Sequence, residues 1–576
     1  MEYTAITLKL LDVTAKAESE LSTDDKQDFV DLIQLKNDDM SIPKYATLED
    51  NFFLLDGSFL PFPDAPGFQS MGYWSNSQSD ENGNFTENPK ITINFTEQHT
   101  AAGLTLTFLH DYPDEIKIRW FTLAGETILS QAFHPDALYY FCDSSVEDFG
   151  KIELDFIHTL HPYRYIKLAD IKYGVIKDFI DEDVIDCTIT EEVDPVSNTI
   201  SINAADFTLH SRTGAFDLIN PQGMFKLFQQ SQELNIRRVD DAGITQFGTF
   251  FLDTWDSADS NSGQFTSYDS VGKLDKTQFR SGRIYDNEPA GNIIDEIMAS
   301  AGFTKYEIAE ELKSIPLSGW IKICTHREAL QQVAFALGAI VDDIRSDTIR
   351  IYKGTQSFGR IIPRSRKFDG GSTKLLSYVS DVKMTAHNYV LSAESSQIIN
   401  GTYPAGQYEI DFDAAYAELS ATGATITEQH TNYAIISVPA DGDVTLTGKK
   451  YTDQTYVYNY GVDKLPAGAI RNPIKIEQAT LISSGNVADI AKSLFDYYQL
   501  RFQTEVEIIL DQEKSGEKVA LQRPTGTGYT MDSIEKMVID LTGGFTARIT
   551  TLSNGKDIVL AYYAGELYAG QDMGVL

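Results

Sequence analysis

The sequence predicts a mainly β, multidomain protein, and three observations carry that expectation. Short runs of strict apolar/polar alternation recur between Ile91 and Phe156, with turn residues between them. A chain of 576 residues exceeds what one hydrophobic core organises. Helical periodicity is confined to a few stretches, all beyond Asn287. The apolar fraction of 42%, with 29 Tyr and 32 Phe, is ample for packed domains and argues against long disordered stretches.

The spacing divides the chain into residues 1–55, 56–174, 175–281, 282–354, 355–470 and 471–576. The first region mixes short strands, beginning with Leu8–Val13, and a polar stretch from Glu18 to Lys26. Asp56–Gly57 stops the apolar run Phe52–Leu55, and Pro61, Pro63, Pro66 and Gly67 form a loop into the next domain. In that domain Ile91, Ile93 and Phe95 alternate with polar neighbours. So do Leu104, Leu106 and Phe108; Ile116, Ile118 and Trp120; and Ile152, Leu154 and Phe156. The pattern predicts an antiparallel sandwich, with Trp120 in its core. Beyond Gly174, Ile185, Cys187 and Ile189 alternate, Asp194–Asn198 turns, and Phe247–Trp255 is a strand. This part reads as a barrel or compact sheet.

Region 282–354 reads as a small α/β unit. Asn287–Pro289 opens a helix whose buried face is Ile293, Ile294, Ile297, Met298 and Ala301, and Gly302 ends it. Thr325 and Glu328 form a capping box for a second helix, with Leu330, Val333, Ala334 and Leu337 buried and Gly338 at its end. A hairpin of Ala339–Ile344 and Thr348–Lys353 follows, turning at Arg345–Asp347. Residues 355–470 are β-rich, with turns at Gly370–Gly371 and Asp441–Gly442. The last region holds a helix from Val487 to near Leu500, a strand over Phe502–Leu510, and strands around Gly543–Gly544 and Asn554–Gly555.

A net charge of −37 repels nucleic acid and anionic membranes, so nucleic-acid binding is not expected. Such a surface suits a wall along which DNA slides without sticking; plain solubility accounts for it equally well. Cys142, Cys187 and Cys324 are distant and form no CxxC, which fits folding in a reducing cytoplasm. The first ten residues lack a basic head and apolar run, so no signal peptide is expected, and no 18-residue apolar stretch predicts a membrane span.

No HExxH, GxSxG or P-loop pattern occurs, and no carboxylate pair stands out among 84 Asp and Glu. Runs such as Asp181–Asp183 and Glu191–Glu192 read as solvated faces. His158 and His161, between strands and before Pro162, read as turn residues rather than metal ligands. The chain is therefore expected not to be an enzyme. Sugar binding needs an aromatic ring with a few polar groups, and Tyr73, Trp74, Tyr112, Tyr139 and Tyr140 are the loop candidates. Trp74, beside Gly72 and Ser75–Ser77, is either a stacking platform or a packing residue. Asp80, Glu81 and Asn82 are candidate oxygen ligands for a structural calcium, with the Asp111–Asp114 turn as the alternative. No other cofactor is expected.

Two resemblances follow from particular residues. Asn88–Phe95, Ile118–Trp120, Gly125, Lys151–Phe156 and Ile171–Gly174 resemble the galactose-binding-like, or carbohydrate-binding-module, jelly-roll sandwiches. Gly319–Gly338, Ser346–Asp347, Ile349–Tyr352, Phe251–Trp255 and Met537–Phe545 resemble the bacteriophage tail and baseplate-hub family. That second resemblance implies homotrimers built from two hub-type β-barrels, near 175–280 and 355–470, each followed by smaller domains. It implies a tail-tip protein meeting distal-tail or tail-tube proteins and a spike or fibre, with the sandwich touching baseplate neighbours or cell-wall glycan. Such a protein is assembled in the bacterial cytoplasm and released by lysis. The alternatives are a carbohydrate-active enzyme or lectin, and an intracellular scaffold.

Overall fold

The structure, a computed structural model, describes residues 3–24, 31–36, 45–47, 49, 52–60, 72–211, 216, 224–241, 243–259, 261–354, 359–523, 528–558, 560–562 and 573–575. The loop expected at Pro61, Pro63, Pro66 and Gly67 lies outside the described residues. The chain is mainly β and multidomain, and its larger sheets are joined edge to edge. Where the sequence predicts two barrels, no sheet closes among the described residues: nineteen strands form one continuous, open hydrogen-bonded network.

The chain starts with β1 (Tyr3–Leu11), α1 (Ala15–Glu18) and β2 (Glu20–Ser22). The expected strand at Leu8–Val13 instead ends at Leu11, because the Asp12 carboxylate accepts from the Thr14 and Ala15 amides (2.9 and 3.0 Å) and turns the chain. The sandwich follows: β3 (Tyr73–Trp74), β4 (Lys90–Phe108), β5 (Pro113–Phe121), β6 (Thr127–Phe133), β7 (Tyr139–Thr159) and β8 (Lys167–Ile180). β4 and β7 pair twice, Lys90–Asn94 with Lys151–Asp155 and Gly103–Thr107 with Tyr139–Asp143, in registers separated by bulges. One pair of long strands thereby serves two layers, as strands do when they change sheets at a bulge. The alternating residues meet inside: Ile91, Ile93, Ile118, Leu154 and Phe156 are fully buried, and Trp120 packs edge-on to Phe149 at 4.9 Å.

β8 does not stop at the sandwich. Its residues 168–173 pair with β4, and residues 174–180 pair with Ala5–Leu11 of β1. The sandwich is therefore an insertion between two neighbouring strands of the next sheet. That sheet continues through β9 (Val184–Glu192), β10 (Ala204–His210), β11 (Glu233–Asp240), β12 (Gly243–Asp259) and β13 (Ser262–Tyr268), ordered β8–β1–β11–β12–β13–β10–β9.

An α/β unit comes next, with α2 (Ser270–Asp275), α3 (Ala290–Ser300) and α5 (His326–Leu337) packed together; α4 (Glu310–Lys313) is one turn. Asn287–Pro289 belongs to a short strand, Ile284–Pro289, so α3 begins only at Ala290. The capping box forms: the Thr325 hydroxyl accepts from the Glu328 amide and the Glu328 carboxylate accepts from the Thr325 amide, both at 3.1 Å. Gly338 ends α5 with φ +59°, a left-handed cap. The predicted hairpin pairs Ile340–Asp342 with Ile349–Tyr352.

Region 355–470 does not make one sheet. Arg360–Ile362 and Ser372–Leu375 join the later strands Lys518–Gln522 and Phe502–Ile509, giving a second large sheet with Tyr529–Asp540 and Thr546–Ile558. Asp381–Ala386, Tyr456–Gly461 and Pro473–Ile476 form a small sheet in the same apolar core as the α/β unit and α6 (Val487–Tyr498). Residues 389–453 make two three-stranded sheets around Phe412, Tyr416, Ile436 and Leu446. The two large sheets meet along one strand: Lys536–Asp540 pairs with β9 while Tyr529–Ser533 of the same strand pairs with Lys518–Gln522. They share a single apolar core that includes Phe207, Phe247, Ile508 and Met537. No helix among the described residues is long and apolar enough to cross a membrane.

Candidate functional site

The sequence-predicted aromatics separate on inspection. Tyr73 and Trp74 lie in strand β3 rather than a loop, and both are buried. Tyr73 stacks on Phe156 in the sandwich core (5.9 Å). Trp74 stacks on Tyr165 (6.3 Å), and the Lys167 ammonium lies 4.8 Å from its ring. That ammonium also sits 3.8 Å from the Phe52 ring and is paired with the buried Glu49, which takes the Tyr165 amide (2.9 Å) and the Thr47 hydroxyl as well. Burial outweighs the attraction of Glu49 and brings Lys167 down to about 8. The chain's own segment around Glu49 and Phe52 thus occupies the surroundings of Trp74, which is a packing residue. Tyr112 and Tyr140 are half-buried against the core, and Tyr139 alone of the five is exposed.

Asp80 uses its carboxylate on its own loop, accepting from the Asn82 and Asn84 amides (2.8 and 2.9 Å), which hold its pKa below the usual range. Glu81 and Asn82 are exposed, and no group of three or more His, Cys, Asp or Glu with metal-site geometry forms among the described residues. His158 faces Asp114 (3.2 Å) and His161 faces Asp111 (3.3 Å), which also pairs with Arg164 (3.1 Å). All three cysteines are free thiols; burial pushes Cys142 up to about 12.

The densest buried polar constellation lies elsewhere, where the two large sheets and the α/β unit meet. Arg345 leaves the hairpin in a left-handed conformation (φ +55°), over the face of Phe247 (4.8 Å). Its guanidinium donates to Glu191 of β9 (2.7 and 3.4 Å) and to the carbonyl of Glu513 (2.7 Å). The Glu513 carboxylate is held bidentately by Arg366 (2.7 and 2.9 Å), and the Ser515 hydroxyl donates to the Glu191 carbonyl (3.0 Å). Burial pushes Glu513 up, but the hydrogen bonds and charge of Arg366 outweigh it and leave the carboxyl below its usual range. Glu191 is 2% exposed, so its reading as a solvated residue is corrected; only its neighbour Glu192 reaches solvent, pairing with Lys536 (3.1 Å). The residues of one strand alternate sides, so Glu191–Glu192 cannot both face water on a sheet whose other face is core.

A second junction lies beside it. Asp269 caps α2, accepting from Gly272 (2.9 Å) and from the amide and side chain of Asn203 (2.8 Å each). Asp343, from the same hairpin as Arg345, accepts from Ser270 (2.7 Å) and faces Asp269. Both carboxyls are fully buried; desolvation raises each, and the charge of Asp343 raises Asp269 further. A raised folded-state pKa contributes stability below the unfolded value, lost as pH rises through the folded one. Asp343→Asn keeps an acceptor for Ser270 and gives Asp269 an amide donor. It is expected to stabilise the fold at pH 8 by about 1–2 kcal/mol, and to flatten the decline of stability between pH 4 and 8 in urea titrations. Equal stability of variant and parent at pH 8 refutes a destabilising repulsion between the two carboxyls.

No family model matches the chain, and no curated protein matches it. Solved structures do. The chain is similar to the 43 kDa tail protein of prophage MuSo2 from Shewanella oneidensis, at 12% identity and TM-score 0.40, over 66% of this chain and 96% of that one. It is similar to the tail protein from Neisseria meningitidis MC58, at 10% identity and TM-score 0.42, over 66% and 94%. It is also similar to prophage tail protein gp18 from Listeria monocytogenes EGD-e, at 11% identity and TM-score 0.37, over 66% and 92%. Likeness at TM-scores below 0.5 carries no inference about what this chain does.

Proposed function

We propose that the chain is a structural, non-catalytic subunit of a phage or phage-derived tail tip. It assembles as a homotrimeric hub around a bore, joins tail-tube or distal-tail proteins to a spike or fibre, and projects its sandwich outward. One observation carries the reading: β8 belongs to both the sandwich and the first large sheet, and the strand Tyr529–Asp540 belongs to both large sheets. A shared strand cannot hinge without breaking several backbone hydrogen bonds at once, so load on one module passes to the next. The buried Arg345–Glu191 pair ties the α/β unit into the same frame. A charge of −37 suits a passage that DNA traverses without adhering. Covering of Trp74 by Tyr165 and Lys167 favours the sandwich as a packing module touching its neighbours over a lectin built on that ring.

The purified chain is expected to sediment at three times 64.2 kDa, and antibody against it is expected to label one end of tails in lysates. A monomer at micromolar concentration that is absent from particles refutes the proposal.

A further inference from the structure

In the second large sheet, the link between Arg360–Ile362 and Ser372–Leu375 runs alongside Phe502–Ile509, with Lys367 bridged to Ile508 and the Phe368 amide donating to the Glu507 carbonyl (2.9 Å), and it lines a cavity of about 340 Å³. That is the size of a small-ligand site. Two phenyl rings wall it, Phe368 (45% exposed) and Phe502 (38% exposed), and Val506 and Leu521 form its apolar floor. Rings left this open in a folded chain are apolar area still available for burial.

The charge at the cavity is the second observation. Acids outnumber bases 84 to 47 in the chain, yet Arg364, Lys367 and Arg523 line this cavity against one lining acid, Asp369. Arg523 is taken by Asp557 (2.8 Å) and the Gly555 carbonyl (2.7 Å). The Lys367 ammonium donates to the carbonyl of Gln522 and meets no carboxylate at hydrogen-bond distance among the described residues. Arg364 is exposed, and its guanidinium has no carboxylate partner among the described residues. The nearby Asp532 attracts Lys367, but it is buried and already accepts from the Thr530 and Thr551 hydroxyls (2.5 and 2.6 Å), and burial raises its pKa. Burial and the charge of Arg364 both depress Lys367, so an anion placed between the two relieves both.

We propose that this cavity binds a carboxylate carried on an aromatic or branched apolar body, with Arg364 and Lys367 holding the anion and Phe368 and Phe502 enclosing the apolar part. Arg364 offers a planar fork that matches a carboxylate, and Lys367 adds a point charge. Two sources share this chemistry: the last residue of a partner polypeptide, and a free aromatic acid. The site does not depend on the tail-tip reading.

The test is calorimetric titration of the full chain with 3-phenylpropionate, with the peptide N-acetyl-Gly-Gly-Phe, and with that peptide's C-terminal amide. Both acids are expected to saturate, and the amide is expected to bind at least about tenfold more weakly. Arg364→Gln is also expected to weaken the acids about tenfold while leaving the melting temperature unchanged, since its guanidinium has no carboxylate partner among the described residues. A peptide binding more tightly than the free acid assigns the site to a protein terminus; equal affinity assigns it to small acids. No saturation by either acid at about 10 mM, equal binding of acid and amide, or unchanged affinity in Arg364→Gln overturns the proposal.

Discussion

Arg345→Met is expected to cost the fold about 3–5 kcal/mol, because it leaves Glu191 buried without its cation. A methionine fills much of the same volume, so the loss reports charge rather than a cavity. The Glu191 carboxylate then keeps only the Ser515 amide, at 3.5 Å. The Glu513 carbonyl loses its donor too, while the Glu513 carboxylate stays satisfied by Arg366. The damage should therefore localise: hydrogen exchange is expected to quicken in Ile340–Tyr352 and around Ser515, and to stay unchanged in the sandwich. Adding Glu191→Leu to Arg345→Met should recover most of the loss, since an apolar pair of similar volume avoids both desolvation penalties. Urea unfolding of the parent, the two single variants and the double variant closes the cycle. A single-variant cost below about 1 kcal/mol would mean that the guanidinium is not what holds the hairpin. If the double variant is no better than Arg345→Met, packing rather than charge is the cause.

The legible parts of this fold were local. Alternation at Ile91–Phe95 and Ile116–Trp120 marked residues that are fully buried, because one face of each strand meets a core. Thr325 and Glu328 identified a helix start correctly, because a capping box is satisfied within four residues. What could not be read was pairing across distance. β1 bonds β8 and β11, more than 150 residues away, and Arg360–Ile362 bonds Lys518–Gln522 across a similar gap. Nothing in a strand's own residues names its partner, and a shift of one residue inverts its faces. In sequence the sandwich therefore reads as a domain following an N-terminal β segment, whereas it is inserted between adjacent strands. The junction escaped for a related reason. Glu191 has an ordinary acidic neighbour, and Arg345 sits in a turn that reads as exposed; only the third element, Glu513, brings them inside. A usable signal existed in the alternation of Cys187 and Ile189, which continues to Glu191 and puts its side chain on the inward face; Ile185, expected in the same register, is exposed because a bulge puts Val184 inside instead. The surroundings of Trp74 were equally out of reach: it has the composition of a binding loop, but Lys167 and Tyr165 reach it from elsewhere in the fold.

Gly174→Ala is expected to destabilise the chain by about 3 kcal/mol or more and to loosen the sandwich from the sheet that carries it. Gly174 is the residue at which β8 passes from one sheet to the other: Tyr173 pairs with Leu104, and Gly174 pairs with Leu11. Its φ of +133° is a conformation that side chains disfavour, and a Cβ there would lie 2.0 Å from the Leu10 carbonyl oxygen. That oxygen belongs to backbone paired with β8 through Leu10–Val175, so it cannot step aside as a side chain would. The Gly174 carbonyl is itself fixed by the Thr105 hydroxyl (2.8 Å), which blocks relief by rotating the peptide. Gly125→Ala is the control: its φ is +84°, and nothing stands within 4 Å of its added Cβ. It should cost about 1 kcal/mol, from backbone conformation alone. The difference between the two variants isolates the clash at the shared strand. If the strand is the mechanical link, Gly174→Ala should also release the sandwich to limited proteolysis near Asp12 and Gly174 before the remainder unfolds, whereas Gly125→Ala should not. Equal costs for the two alanines, with no early cleavage, would mean that β8 bends freely at this point and that load does not pass through it.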